Sequence, residues 1–134
     1  MPPSTTEHEE IALQPPSGTR HLSDAEFVSA FEACTLAADA FRHYDHIRLA
    51  WAYLDAFALD EATDRMAESI RRFALHHTGT TAKFSDSLTR AWMCLVARVR
   101  AISPAAPDFA TFAEANPMLF DRRRAFDFYG VAAP

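Results

Sequence analysis

Cysteine, lysine and long apolar runs are all scarce in this chain, and each shortage removes a class of protein. Cys34 and Cys94 are the only two cysteines, too few for a disulfide scaffold or a thiolate zinc site. Cys94 falls inside a helical pattern with no adjacent base, so a buried structural thiol is expected there rather than a nucleophile. No apolar stretch approaches the ~20 residues of a membrane span. No basic segment followed by an apolar one opens the chain, so a cytoplasmic, reduced setting without membrane attachment is expected. Lys83 is the single lysine, and the net charge is −5. That sign argues against a nucleic-acid partner, whose binding depends on counterion release. The one basic run, Arg122-Arg123-Arg124, is flanked by Asp121 and Asp127 and is expected to be a solvated helix face. Alternating strand patterns and internal repeats are missing as well.

What the chain does have is apolar and aromatic material. Eleven Phe, two Trp and three Tyr within 134 residues can fill one core but not two, so a single folded domain is expected. Residues 1–21 hold Pro2, Pro3, Pro15 and Pro16 and are expected to form a flexible tail, with the domain spanning 22–134.

The expected fold class is all-α, a compact bundle of four main helices plus one or two short C-terminal ones. Ser23-Asp24-Ala25-Glu26 is a capping box, opening a first helix that ends near Cys34-Thr35. A second helix is expected from about Asp39 to Phe57, its apolar line running through Ile47, Ala50 and Leu54. A third should be capped by Asp60, carry Met66, Ile70, Phe73 and Ala74, and run to His76 or His77, stopping before Thr78-Gly79. A fourth starts near Ser85-Asp86, presents Leu88, Trp92, Leu95, Val96, Val99 and Ile102, and is closed by Pro104 and Pro107. A short helix over Asp108 to Ala115 and a last one from Leu119 to Tyr129, stopped at Gly130, complete the pattern.

The segment Phe41-Arg42-His43-Tyr44-Asp45-His46-Ile47-Arg48-Leu49-Ala50-Trp51 carries the chemistry. Steps of four back from Ile47 and Ala50 reach His43 and His46, which puts both imidazoles on the core side of the second helix. Asp45 lies off that line and should pair with Arg42, Arg48 or solvent. His77 extends the line of the third helix, and Ser85, Thr89 and Trp92 share an edge of the fourth. With antiparallel second and third helices, His43, His46, His77, Ser85 and Thr89 would surround one pocket, with Trp51, Trp92 and Tyr53 as core or wall. Imidazole suits proton transfer near neutral pH and is also the commonest metal ligand. His43, His46 and His77 could therefore act as acid/base groups or hold Zn, Fe or Cu, or work with no metal. The i,i+3 spacing is not the zincin pattern, and its glutamate is missing.

Glu32-Ala33-Cys34-Thr35-Leu36 followed by the histidine segment resembles a widespread set of small helical proteins of bacteria and fungi. Their recurrent text is approximately FxHxDHLRLAW. Ile70-Arg71-Arg72-Phe73 through His77, Lys83-Phe84 and Asn116-Pro117 fit the same template, so the similarity covers roughly residues 24–130. The resemblance implies an architecture and a residue pattern rather than a reaction. Members often carry Tyr-His-Glu-Thr where this chain has Phe84-Ser85-Asp86-Ser87, which implies that a histidine position is occupied by Ser85.

The function expected from these residues is a small-molecule enzyme of bacterial accessory or secondary metabolism. It would use a histidine-lined interhelical pocket for isomerase, dehydratase or cyclase chemistry, or for metal-assisted lyase or oxygen chemistry. Ser85 and Thr89 would position a small organic substrate. The alternative is a non-catalytic binding or protein-partner module with structural histidines. A third option is haem or another cofactor held by one axial histidine. A homodimer is compatible with each.

Overall fold

Ser23 starts the first helix as its side chains require. Its hydroxyl accepts the Glu26 N–H and the Glu26 carboxylate accepts the Ser23 N–H, giving α1 over Asp24–Glu32. The helix ends where Cys34 turns left-handed at φ 60, while the N–H groups of Cys34 and Thr35 reach back to the Phe31 and Ala30 carbonyls. This is a Schellman stop in which cysteine stands where glycine is usual.

The computed structural model describes residues 18–134. It is an all-α bundle: α1, a 3-10 turn at Ala38–Ala40, α2 (His43–Ala56), α3 (Leu59–Thr78), α4 (Asp86–Ile102), α5 (Phe109–Ala115), a 3-10 turn at Pro117–Phe120, and α6 (Ala125–Tyr129). No strand occurs among the described residues. No helix among them is long and apolar enough to cross a membrane. Helices α2, α3 and α4 pack against one another, α1 lies across α2 and α3, and α5 and α6 cover α2 and α4 respectively. Phe31, Ile47, Leu49, Met93, Leu95 and Val96 are at most 1% exposed, which locates the core between these helices.

Several boundaries differ from the sequence expectation. Asp39 does not open the second helix; it sits exposed in the 3-10 turn. The start is set by Asp45, whose carboxylate accepts the Arg42 N–H at 3.0 Å. Asp60 does not cap α3, since Ala58 is the N-cap and Asp60 lies in the first turn, where a negative charge still suits the helix dipole. Ser85 caps α4 through the Leu88 N–H, and Asp108 caps α5 through the Thr111 N–H. The expected last helix is two pieces, because Asp121 takes the N–H groups of Arg123 and Arg124 and breaks the run. Gly79 and Gly130 end α3 and α6 at φ 76 and 69. Ile102, expected inside, is 62% exposed. Cys94 is exposed rather than buried.

The tail expectation for residues 1–17 lies outside the described residues. Residues 18–21, counted in that tail, are packed. Thr19 is fully buried and its hydroxyl donates to Asp45, itself fully buried rather than facing solvent. Arg48 holds the same strap. Its Nη1 and Nη2 donate to the Thr19 and Leu22 carbonyls at 3.0 and 2.6 Å. Its Nε donates to Asp24 at 2.8 Å, and Asp24 in turn accepts the Phe109 N–H. One guanidinium thus ties the strap, α1, α2 and α5 together.

Candidate functional site

His43 opens α2, and its surroundings fix how it can act. Nε2–H donates to the Leu119 carbonyl at 3.3 Å. A carbonyl only accepts, so the neutral ring keeps its lone pair on Nδ1. Its ring meets Trp92 edge-on at 4.9 Å between centroids. Burial pushes the His43 pKa down, the Leu119 bond opposes this, and the charge of Arg122 lowers it further. The positive end of α2 acts in the same direction.

One turn further, the His46 ring lies 4.1 Å from that of Phe41. Its pKa falls to about 4, chiefly through burial, then through His43 and Arg122, with Asp45 opposing. Both groups are therefore neutral at neutral pH.

Both imidazoles face a cavity of about 830 Å³, within the size range of small-molecule sites. Ile47 and Ala50 from α2, Met66 and Ile70 from α3, and Leu88 and Trp92 from α4 make its walls mostly apolar. Phe41 and Phe126 add aromatic faces. Ser85 and Thr89 also line it. The Ser85 hydroxyl accepts the Leu88 N–H, and the Thr89 hydroxyl donates to the Ser85 carbonyl at 2.9 Å. The Ser85 hydroxyl also shares a hydrogen bond with that of Ser87 at 3.4 Å, and the Thr89 lone pairs are left for a bound molecule.

The structure thus brings together His43, His46, Ser85, Thr89 and Trp92, and keeps three expected members away. His77 does not line the cavity. Its ring packs on Phe73 at 4.3 Å, and Phe41 lies between Phe73 and His46 at centroid distances of 5.4 and 4.1 Å. The Nε2 atom of His77 is buried and has no hydrogen-bond partner among the described residues. Trp51 faces Phe109 and Phe112. Tyr53 is buried between Glu32 and Ser69, with oxygen distances of 2.6 and 2.7 Å; burial and the Glu32 carboxylate raise its pKa. The metal trio expected of His43, His46 and His77 is corrected with this: among the described residues no three His, Cys, Asp or Glu side chains group around one ion position.

Sequence patterning misses the cavity's charged lining. Arg42, Lys83, Arg122 and Arg123 all line it, with Asp127 as the carboxylate among them. The basic run at 122–124 is therefore more than a solvated face. The signal available in the sequence is the run's place beside Phe120 and Phe126, which dock on His43 and Trp92.

An all-α domain with a histidine cavity between its helices is the class that fold and site define. Comparison with protein-family models, curated proteins and solved structures gives no match, so the site is interpreted from its own geometry.

Proposed function

We propose that the cavity binds a small organic molecule, that His43 carries out proton transfer on it and that His46 assists as a neutral hydrogen-bonding group. The observation that supports this most is the pair of neutral imidazoles facing one apolar-walled cavity of about 830 Å³. His43 is the proton carrier, oriented by the Leu119 carbonyl with Nδ1 as its basic atom. A carbonyl orienting one ring nitrogen while the other works follows the logic of hydrolase triads. His46 has too low a pKa to hold a proton at neutral pH and serves as a neutral hydrogen-bonding group, polarising a substrate oxygen. Ser85 and Thr89 position the substrate. Isomerisation, dehydration and cyclisation all need this equipment.

A bicyclic ketone with acidic α-hydrogens tests the chemistry. Exchange of the α-protons of 2-tetralone in D2O, followed by NMR, should run faster with the protein than with free imidazole at equal concentration. His43→Gln should lower the protein-specific rate by about a hundredfold, the usual scale of a single acid/base group, with an unchanged circular dichroism melt. Binding without accelerated exchange would instead leave a carrier. That second role is favoured by one observation: no carboxylate is hydrogen-bonded to either imidazole among the described residues.

A further inference from the structure

The chain carries a net charge of −5, yet its cavity is lined by four cationic side chains and one carboxylate. The four come from three separate places. Arg42 precedes α2, Lys83 lies in the connection between α3 and α4, and Arg122 and Arg123 lie between the second 3-10 turn and α6. Elsewhere the basic residues are mostly matched. Arg65, Arg72, Arg90 and Arg100 each hold a carboxylate within 3.3 Å, and Arg48 is buried against Asp24. Among the described residues, none of the four lining cations is in an ion pair. Arg42 directs its Nε–H to the Asp39 carbonyl, a neutral acceptor that leaves its charge uncompensated. Cations gathered from three segments, unpaired, beside an apolar chamber describe a receptor for a molecule with an apolar body and an anionic head.

We infer that the natural ligand of this cavity is an amphipathic organic anion, a carboxylate or phosphate ester, its apolar body against Ile70, Leu88 and Trp92 and its head among Arg42, Lys83, Arg122 and Arg123. This rests on the small-molecule reading of the cavity proposed above and adds the substrate class to it. Guanidinium groups present paired N–H donors that match both head groups. The head would lie on the Arg122 side of the histidines, since the Arg122 charge already reaches both rings. The body would then extend toward the α3 and α4 walls, with its reacting carbon beside His43.

A matched set of probes separates the charge from the body. Binding of 2-naphthoate, 2-naphthyl phosphate and neutral 2-naphthamide would be measured by calorimetry on the full chain. Imidazole resonances would be followed by NMR in the same titrations. At least one of the two anions should bind about tenfold more tightly than the amide, as expected for charge-assisted hydrogen bonds replacing neutral ones. That advantage should shrink as salt is added, and the tighter anion identifies the head group. Arg122→Gln and Lys83→Gln should each lower anion affinity several-fold more than amide affinity. Arg71→Gln, exposed on α3 and away from the cavity, should leave all three affinities unchanged. Equal affinity for anions and amide, with His43 and His46 resonances moving in every case, overturns the anionic class and leaves the small-molecule cavity standing. No binding by any of the three, with unmoved imidazoles, overturns both.

Discussion

Replacing Arg48 with Met should lower the unfolding free energy by about 3–5 kcal/mol, the range measured when one member of a buried charged pair is removed. Domains of this kind are stable by only about 5–15 kcal/mol, so urea denaturation at neutral pH should show a large shift of the midpoint. The loss has three parts. Asp24 keeps a half-buried carboxylate, with the Phe109 N–H as its remaining partner. The Leu22 carbonyl loses its Arg48 donor, and the Thr19 carbonyl keeps only the Leu22 N–H, in a region where Thr19 is fully buried. The Phe27 ring loses the guanidinium stacked 4.6 Å from its centre. Adding Asp24→Asn to the Arg48→Met variant should return part of the stability, because the uncompensated charge disappears with it. A loss below about 1 kcal/mol, the level of an exposed ion pair, would show that Arg48 does not hold the strap.

The second large effect is a pH dependence from His46. Its pKa is 6.5 without structural perturbation and about 4 in the fold. Above 6.5 the ring is neutral in both states and its contribution is constant. Between 6.5 and 4 the unfolded chain takes up a proton that the folded chain refuses, so stability falls as pH falls. Below about 4 both states are protonated and the loss levels off. The full span is worth about 3 kcal/mol by linkage. His43, whose pKa is lowered as well, adds a loss of the same sign. Carboxylates contribute their own acid dependence, so the measurement is a comparison. Urea unfolding of the natural chain and His46→Phe between about pH 7 and pH 4, the window set by linkage, should give curves that diverge on the acid side, with the variant losing less. Parallel curves would mean that the His46 ring is not desolvated by Phe41 and its neighbours.

Much of the helical framework is written in local signals. Ser23 with Glu26 and Ser85 before Asp86 are helix starts whose side chains make the expected bonds. The start of α2 is harder to read. Asp39 has the look of a cap, but the carboxylate that sets the boundary is Asp45, acting backward from the third helical position. The spacing of His43, His46 and Ile47 still gives the correct face, because helical periodicity is insensitive to a shift in the start.

Periodicity gives direction but not depth, and for that reason it misplaces His77. Its line through Ile70 and Phe73 does point inward, yet an aromatic ring from outside any helix lies between it and His46. Phe41 packs against Phe31, Phe73 and His46 at once, and no helical pattern includes a loop residue. Trp51 and Tyr53 sit on the same helix as the histidines but turn toward α5 and toward α1 and α3. The charged lining is hidden for a related reason. Arg42, Lys83 and Arg122 are far apart in sequence and lie outside α-helices, so only the folded topology makes them neighbours.

The four cations that line the cavity are a local conflict. Natural sequences tend to agree with their folds at every level, and the exceptions concentrate where another requirement overrides stability. Like charges held around one opening repel, and the surrounding surface, with its carboxylates at helical spacing, shows that this chain has the means to neutralise them. It does so along α3 and α4, whereas the cavity sets one acidic side chain, Asp127, against four cations. The fold is frustrated at that opening, and an arriving anion would relieve the frustration, so occupancy and stability are coupled at the same four side chains.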